Sequence, residues 1–522
     1  MQMQTEIRKI IILGGGTAGW LTASIIASEH MLDQESMVVN VTLIESPNVS
    51  TIGVGEGTWP SMRTTLKRIG VKETDFFRKC SASFKQGTQF FSWTNKHEQS
   101  YAHPFTLPNN FAKTNLVRPW QDLKTDIPFA EAVCPQLPIF ARHLAPKQIS
   151  TPEYAGHLNY GYHLDAGKFA DLLRHHATEA LGVVHISEHV ISVNNKENGD
   201  IKSLTTSTNE ITGDLFIDCS GMQSMLLGNH FGIPLLDKHQ YLFNDSALAA
   251  QVSYEDENHP IESCTRSTAQ KAGWIWDIGL QTRRGAGYVY SSSHTSDEKA
   301  YDELLEYIGE TSTNINLDSI SPKKITFQPG HRTVFWHRNC VAIGMSAGFI
   351  EPLEASALVL VELSASVIAD QLPNDRNHMD IVAKRFNKNF RRRWDSIIDF
   401  LKLHYVLTDR EDSIYWRENK DASTIPESLA DSLAHWKFHP PWHEDNIYAN
   451  EMFPAASYQY VLYGMGFNTQ SLRSTKTAKQ RWSGVASQCF ENNNQQSRKL
   501  CSILPTNREL INKIYSQGMH TI

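Results

Sequence analysis

The sequence predicts an α/β fold built on a doubly wound parallel sheet, and three stretches predict it. Residues 7–20, IRKIIILGGGTAGW, carry an apolar strand at 10–13 that runs into three glycines and then a helical pattern. Residues 39–44 form a second apolar strand, ending in Glu45. Residues 214–221, DLFIDCSG, read as a third buried strand closed by a glycine turn, the kind of second nucleotide contact expected in such a sheet. Continuous apolar runs of this sort suit strands covered by helices on both faces.

In the first stretch Gly14, Gly16 and Gly19 stand at the G-x-G-x-x-G spacing of a dinucleotide-binding turn. Gly14 permits the tight turn, Gly16 lets the backbone approach a pyrophosphate, and Gly19 lets the helix lie close on the strand, so that free N–H groups face the anion. Glu45 is placed to accept hydrogen bonds from a ribose. The bland alternative, a glycine turn that is only structural, is disfavoured by the strand before it, the helix after it and the acid that ends the next strand.

The chain has 522 residues, enough for roughly three domain-sized units or one cofactor fold with insertions. Its formal net charge is −7, and Arg391, Arg392 and Arg393, its one basic cluster, read as one face of a helix, which argues against nucleic acid as a partner. Seven cysteines, odd in number and without a C-x-x-C pair, read as reduced thiols of a cytoplasmic protein and not as a metal site or disulfide framework. No apolar run approaches the ~18 residues of a membrane span. No metal is expected: His175 and His176 are adjacent and point apart on a helix.

Further along, IGVGEGTWPS at 52–61 is a glycine-spaced loop that would let backbone lie against a flat ligand, the bland reading being a surface turn. Residues 62–79 read as helical, and 84–93, FKQGTQFFSW, as strand-like with Lys85 near the start. Residues 98–151, rich in Pro, Asn and aromatics, suit an insertion packed over a site. In 160–193 a helix and two short strands follow, with Asp165 at the helix start. Trp274 and Trp276 share one face of a strand by their period of two, where core packing is the plain alternative to a functional role. Residues 339–344 form another buried strand, and Pro352 suits the start of the apolar helix that runs to about 369. The N–H groups after Glu354 would then be free to hold a small anion. The chain beyond 370 is helical and charged, Phe453, Pro454, Tyr458, Tyr460 and Tyr463 suggest a lid, and the Asn/Gln run at 492–496 reads as a loop.

Taken together, GGGTAGW at 14–20, IGVGEGTWPS at 52–61, SFKQGTQFFSW around Lys85, YGYHLDAGKFADLL at 160–173, GWIWDIGL at 273–280, IEPLEAS at 350–356 and DFLKLHYVLTDREDSIYW at 399–416 resemble the flavin-dependent tryptophan halogenases. The resemblance implies a GR2-type FAD-binding, Rossmann-like monooxygenase fold over 1–95 and 155–370, with a substrate-side insertion at 96–154 and a mainly helical substrate-covering domain at 371–522. It implies FAD, used as FADH2, bound by Gly14, Gly16, Thr17, Ala18, Gly19, Glu45, Val54, Gly55, Gly344 and Leu353. Reduced flavin and oxygen would give a C4a-hydroperoxide, and chloride or bromide held at the N–H groups of Ser356 and Ala357 would attack it to give hypohalous acid. A tunnel would carry the acid to Lys85, to be held there by a hydrogen bond or as a haloamine. Glu354 would polarise the halogen donor or take the ring proton. Trp274 and Trp276 would keep organic substrate away from the flavin, and His103, Phe105, Phe453 and Pro454 would border the substrate.

Residue chemistry agrees: a buried lysine amine can orient or react with an oxidant, and a neighbouring carboxylate accepts a proton. The plain alternatives are a surface lysine on a strand and an acid favoured by a helix N-terminus. Three positions depart from the family pattern: Gly279 replaces a proline and would loosen its loop, Ala355-Ser356-Ala357 replaces Ser-Thr-Gly, and Pro454 replaces an aromatic expected to stack on the substrate indole. The expected substrate is therefore indole or a related small electron-rich arene. A separate NAD(P)H-dependent flavin reductase is the expected partner, because no second glycine fingerprint is present, and the enzyme is expected to be a monomer or homodimer. The competing readings are a single-component flavin hydroxylase, a halogenase of carrier-tethered substrate, against which Glu354 argues, and a non-catalytic flavin-binding protein.

Overall fold

The structure, a computed structural model, describes residues 6–30, 39–48, 55–94, 100–312, 315–445, 451–470 and 476–520. By packing, the chain forms two compact units, one of Met1–Ala82, Leu164–Lys238 and Phe327–Trp394, the other of Ser83–His163, His239–Thr326 and Asp395–Ile522. The sequence reading places its divisions at 95, 154 and 370.

The first unit is built on a six-stranded sheet in the order Trp336–His337, Cys340–Ala342, Leu215–Asp218, Lys9–Leu13, Asn40–Glu45, Val184–Ser187. All neighbours pair in parallel except the two-residue edge strand Trp336–His337. The apolar run of Lys9–Leu13 is buried from Ile10 onward because it lies at the centre, and the helix Thr17–His30 packs against the helices Ala166–Glu179 and Ser356–Asp370. Asp165 caps Ala166–Glu179 by accepting from the Lys168 N–H, as its residue type favours. The helical stretch expected at 62–79 is two helices, Ser61–Arg68 and Glu73–Cys80, separated where Gly70 takes a φ of +81°.

The second unit is built on a seven-stranded sheet in the order Lys323–Thr326, Ser246–Ser253, Arg283–Tyr290, Gly273–Gly279, Thr265–Gln270, Gly87–Phe91, Ser100–Pro104. Pairing is antiparallel throughout except between Thr265–Gln270 and Gly87–Phe91. Two expectations are corrected here. The Asn/Gln run at 492–496 lies inside the helix Lys476–Ile503, where the buried Asn493 donates to the carbonyls of Glu131 and Ala132, so tertiary packing overrides a low helix propensity. Tyr460 and Tyr463 belong to a buried helix, Ala455–Gly464, packed on Ser100–Pro104, and do not form a lid.

Candidate active site

In the first unit the parallel strands lie across the sheet in the chain order fifth, fourth, first, second, third, so the order reverses between Lys9–Leu13 and Leu215–Asp218. Ligands of open α/β sheets occupy the crevice at such a reversal, beyond the carboxyl ends of the strands, and the glycine turn stands there. Gly14 has a φ of +118°, and a Cβ on it would fall 2.2 Å from the Cys219 carbonyl oxygen. On Gly19 a Cβ would fall 1.9 Å from the Gly14 carbonyl oxygen, so only glycine lets the helix lie this close to the turn. On Gly16 it would meet nothing within 4 Å. That open face is where a pyrophosphate would approach.

Gly15, which the spacing rule passes over, is crowded by a side chain and not by backbone: its Cβ would lie 1.5 Å from a carboxylate oxygen of Glu45. The signal was in plain sight as the middle glycine of GGG. Glu45 ends its strand beside the turn, 2.7 Å from His185 Nε2. Gly344, in the turn after Cys340–Ala342, comes close to Ala18, since a Cβ there would be 2.8 Å from the Ala18 methyl. Thr17 Oγ1 lies 3.5 Å from the Ala166 carbonyl.

Within the stretch 214–221, the Asp218 side chain has a structural part. The carboxylate is fully buried and accepts from the backbone N–H groups of Ser220, Leu226 and Leu227 and from the hydroxyls of Ser220, Ser224 and Ser346. Its lone pairs are spent tying two turns together.

The 350–356 stretch also differs in detail. The helix starts at Ser356, not at Pro352, because Pro352 accepts from the Ala355 N–H in a turn and Ala355 takes a left-handed φ of +53°. Alanine cannot cap, so the N-cap side chain leaves the first N–H groups of Ser356–Asp370 untaken. Ser356, Leu353 and Glu354 are buried and Ala357 is exposed. Trp59 Nε1 donates to the Glu354 carbonyl oxygen at 2.7 Å, which pins this turn to the strap that follows Gly55–Gly57. Gly55 is in that strand, and Val54 lies outside the described residues. Behind the turn, the Glu362 carboxyl accepts from Ser61 Oγ at 3.1 Å and from Thr65 Oγ1, and burial pushes it up to about 7.

In the second unit Lys85 closes the strand Ser83–Lys85 and is 1 % exposed, which removes the surface-lysine alternative. Its Nζ stands 5.4 Å from the centre of the Phe105 ring. His103 Nε2 is 2.9 Å from Ser457 Oγ, and the ring lies 5.5 Å from Phe400, which stacks on Phe453 at 3.8 Å. His103 and Phe453 therefore converge on Phe400, an aromatic to which sequence reasoning gave no role at the site. Pro454 is exposed at the head of Ala455–Gly464, outside this stack. Trp274 is buried and Trp276 half-buried on Gly273–Gly279, their rings 6.4 Å apart. Trp276 is paired with Gly287, whose missing side chain makes room for the indole: a Cβ there would be 2.1 Å from it.

Residues 9–480 match the tryptophan halogenase family. The chain belongs to that family. A tryptophan halogenase of Shewanella frigidimarina NCIMB 400 is 50 % identical, with full coverage of both chains and a TM-score of 0.96. Tar14, a tryptophan C-6 flavin-dependent halogenase from taromycin biosynthesis, is 30 % identical over 98 % of this chain and 100 % of its own, with a TM-score of 0.89. The tryptophan 7-halogenase RebH of Lentzea aerocolonigenes is 32 % identical over 80 % of each chain. This halogenase is accordingly an enzyme of the flavin-dependent class with a Rossmann-like fold.

Among the family departures in this halogenase, Gly279 does not loosen a loop. It ends the strand Gly273–Gly279, pairs with Arg284, and its carbonyl accepts from Ser83 Oγ at 2.5 Å. No helix is long and apolar enough to cross a membrane among the described residues.

Proposed function

We propose that the enzyme halogenates an electron-rich arene of the indole or tryptophan type, using FADH2, oxygen and chloride or bromide. The glycine turn supports FAD in the first unit: the open face at Gly16 and the acid at Glu45 fit a pyrophosphate and a ribose, and Gly14, Thr17, Ala18, Gly19, Gly55, Gly344 and Leu353 would hold the rest of the cofactor. We assign the halide to the uncapped N–H groups of Ser356 and Ala357. Reduced FAD, when bound, supplies with oxygen and halide the electrophilic halogen.

The observation that carries the reading is the burial of Lys85. An amine 1 % exposed beside an aromatic ring is withdrawn from bulk water, as suits a group that meets its reactant in an enclosed site. Lys85 would orient hypohalous acid or carry the halogen as a haloamine, and the Glu354 carboxylate would take the proton released from the ring. His103, Phe105 and Phe453 would border the arene, with Pro454 at the rim, and Trp274 and Trp276 would fill the flavin side. A separate NAD(P)H-dependent reductase would supply the reduced flavin.

The test uses photochemically reduced FAD, oxygen and bromide, with indole in one arm and tryptophan in the other. Brominated product by mass is expected, and hydroxylated product without bromine would decide for a hydroxylase. Lys85→Ala is expected to abolish halogenation while flavin reoxidation continues. Glu354→Gln is expected to keep FAD but slow turnover about 10²-fold or more; normal turnover would remove it from the mechanism.

A further inference from the structure

We propose that Gln136 is a positioning residue that selects the ring carbon halogenated: its buried amide ties the segment after Lys85 to the segment of Phe105, and so fixes the amine against that aromatic ring. The inference rests on the roles of Lys85 and Phe105 proposed above. Gln136 opens the short helix Gln136–Phe140, and both it and Gln86, the residue after Lys85, are 0 % exposed. Gln136 Nε2 donates to Gln86 Oε1 at 3.3 Å and to the Asn159 carbonyl at 2.7 Å, while its Oε1 accepts from the Thr106 N–H at 2.8 Å. One amide therefore joins the neighbour of Lys85 to the neighbour of Phe105.

The surrounding bonds have the same two ends. On the lysine side, Gln86 donates from its N–H to the Ser263 carbonyl at 2.8 Å and from Nε2 to the Leu144 carbonyl at 2.7 Å. On the aromatic side, the Phe105 N–H donates to the Gln86 carbonyl at 3.0 Å, and the Phe105 carbonyl accepts from Asn159 Nδ2 at 2.9 Å. Thr106 Oγ1 accepts from the Asn159 N–H at 3.1 Å, and the Thr106 carbonyl accepts from the Tyr460 hydroxyl at 2.8 Å. The backbone of Phe105 is thus held at its N–H and at its carbonyl. Its ring is left half-buried, with Lys85 Nζ 5.4 Å from the ring centre. Apolar side chains of the same volume would fill this space, but a satisfied buried polar network also specifies one arrangement. Which carbon of an arene meets a halogen delivered from a fixed amine depends on where the ring rests, and a displacement of about 1 Å changes such a rate about 100-fold.

Gln136→Met keeps the length of the side chain and removes its donors and its acceptor. The parent and the variant are given photochemically reduced FAD, oxygen, bromide and either indole or tryptophan, whichever the parent brominates. The ratio of brominated ring isomers is measured, with flavin reoxidation rate and melting temperature beside it. The minor isomers are expected to rise about tenfold relative to the main one while flavin reoxidises at the parent rate. The parent ratio in folded Gln136→Met, whatever its melting temperature, overturns the inference. Tyr288→Phe, in the same unit, takes a buried hydroxyl from Glu303 and serves as the stability control. It is expected to melt lower with the parent ratio, and an isomer shift equal to that of Gln136→Met would overturn the inference, since the ratio would then report loosening alone. Should Gln136→Met fail to fold, Thr106→Val removes only the hydroxyl that holds the Asn159 N–H. The same isomer shift is expected there, and the parent ratio overturns the inference. Lys85→Ala distinguishes the levels: bromination that persists in it removes the lysine role and this inference together. Bromination lost there, with the parent ratio in Gln136→Met, removes this inference alone.

Discussion

One methyl group distinguishes two kinds of glycine in the nucleotide turn. On Gly19 it would strike backbone at 1.9 Å, so Gly19→Ala must displace the helix Thr17–His30 from the turn. On Gly16 it would meet no protein atom within 4 Å, so Gly16→Ala should leave the fold intact and fill only the space proposed for the cofactor. Gly16→Ala is therefore expected to melt within about 0.5 kcal/mol of the parent yet to bind FAD at least about tenfold more weakly. Gly19→Ala is expected to lose both stability and flavin. Thermal unfolding and flavin fluorescence titration check the pair, and equal effects on stability would contradict the contact geometry. Spacing alone picked out both glycines. It did not pick out Gly15, because the reason for that glycine is a carboxylate 30 residues away in sequence, on the neighbouring strand.

At the scale of the element, the helices Ser61–Arg68 and Ser356–Asp370 are clasped by the Glu362 carboxyl with Ser61 and Thr65. Burial raises that carboxyl from 4.5 to about 7, so the folded chain holds its proton over a range in which the unfolded chain has released it. Stability therefore falls as pH rises from about 4.5 to about 7, by roughly 3 kcal/mol from this group, and is level above that. Glu362→Gln keeps the hydrogen-bonding groups without the ionisation. The difference in melting temperature between pH 5 and pH 8 is expected to shrink in that variant, and an undiminished difference would remove Glu362 as its source. The helix starting at Ser356 was legible as an apolar run, but its starting residue was not. Pro352 suits a first helical turn by its own chemistry, and only the bond from Ala355 to its carbonyl, with the left-handed Ala355, moves the start onward.

For the whole molecule, the described residues contain one parallel sheet with a glycine turn at its reversal, in the first unit. With one such crevice among the described residues, the enzyme is expected to turn over with chemically reduced FAD and no NAD(P)H. It is expected to be silent with NAD(P)H and oxidised FAD until a flavin reductase is added. Product formed from NADPH alone would mean that the chain docks a second nucleotide and would favour the hydroxylase reading. The second unit supplies the contrast: it carries Lys85 on the short strand Ser83–Lys85, which is not part of its seven-stranded sheet, and the long C-terminal segment belongs to the same unit.

The sequence by itself determined the parallel sheet, the nucleotide turn and the family, because each is written in local spacing: an apolar run, three glycines, an acid at the next strand end. It also offered Lys85 and Glu354 as reactive groups. Tertiary structure alone decided that Lys85 is buried, that Asp218 is consumed by six internal hydrogen bonds, and that His103 and Phe453 meet at Phe400. It also decided that 492–496 is helix. These depend on which distant segments lie against each residue, and burial and hydrogen-bond satisfaction belong to the packed chain and not to any stretch of it.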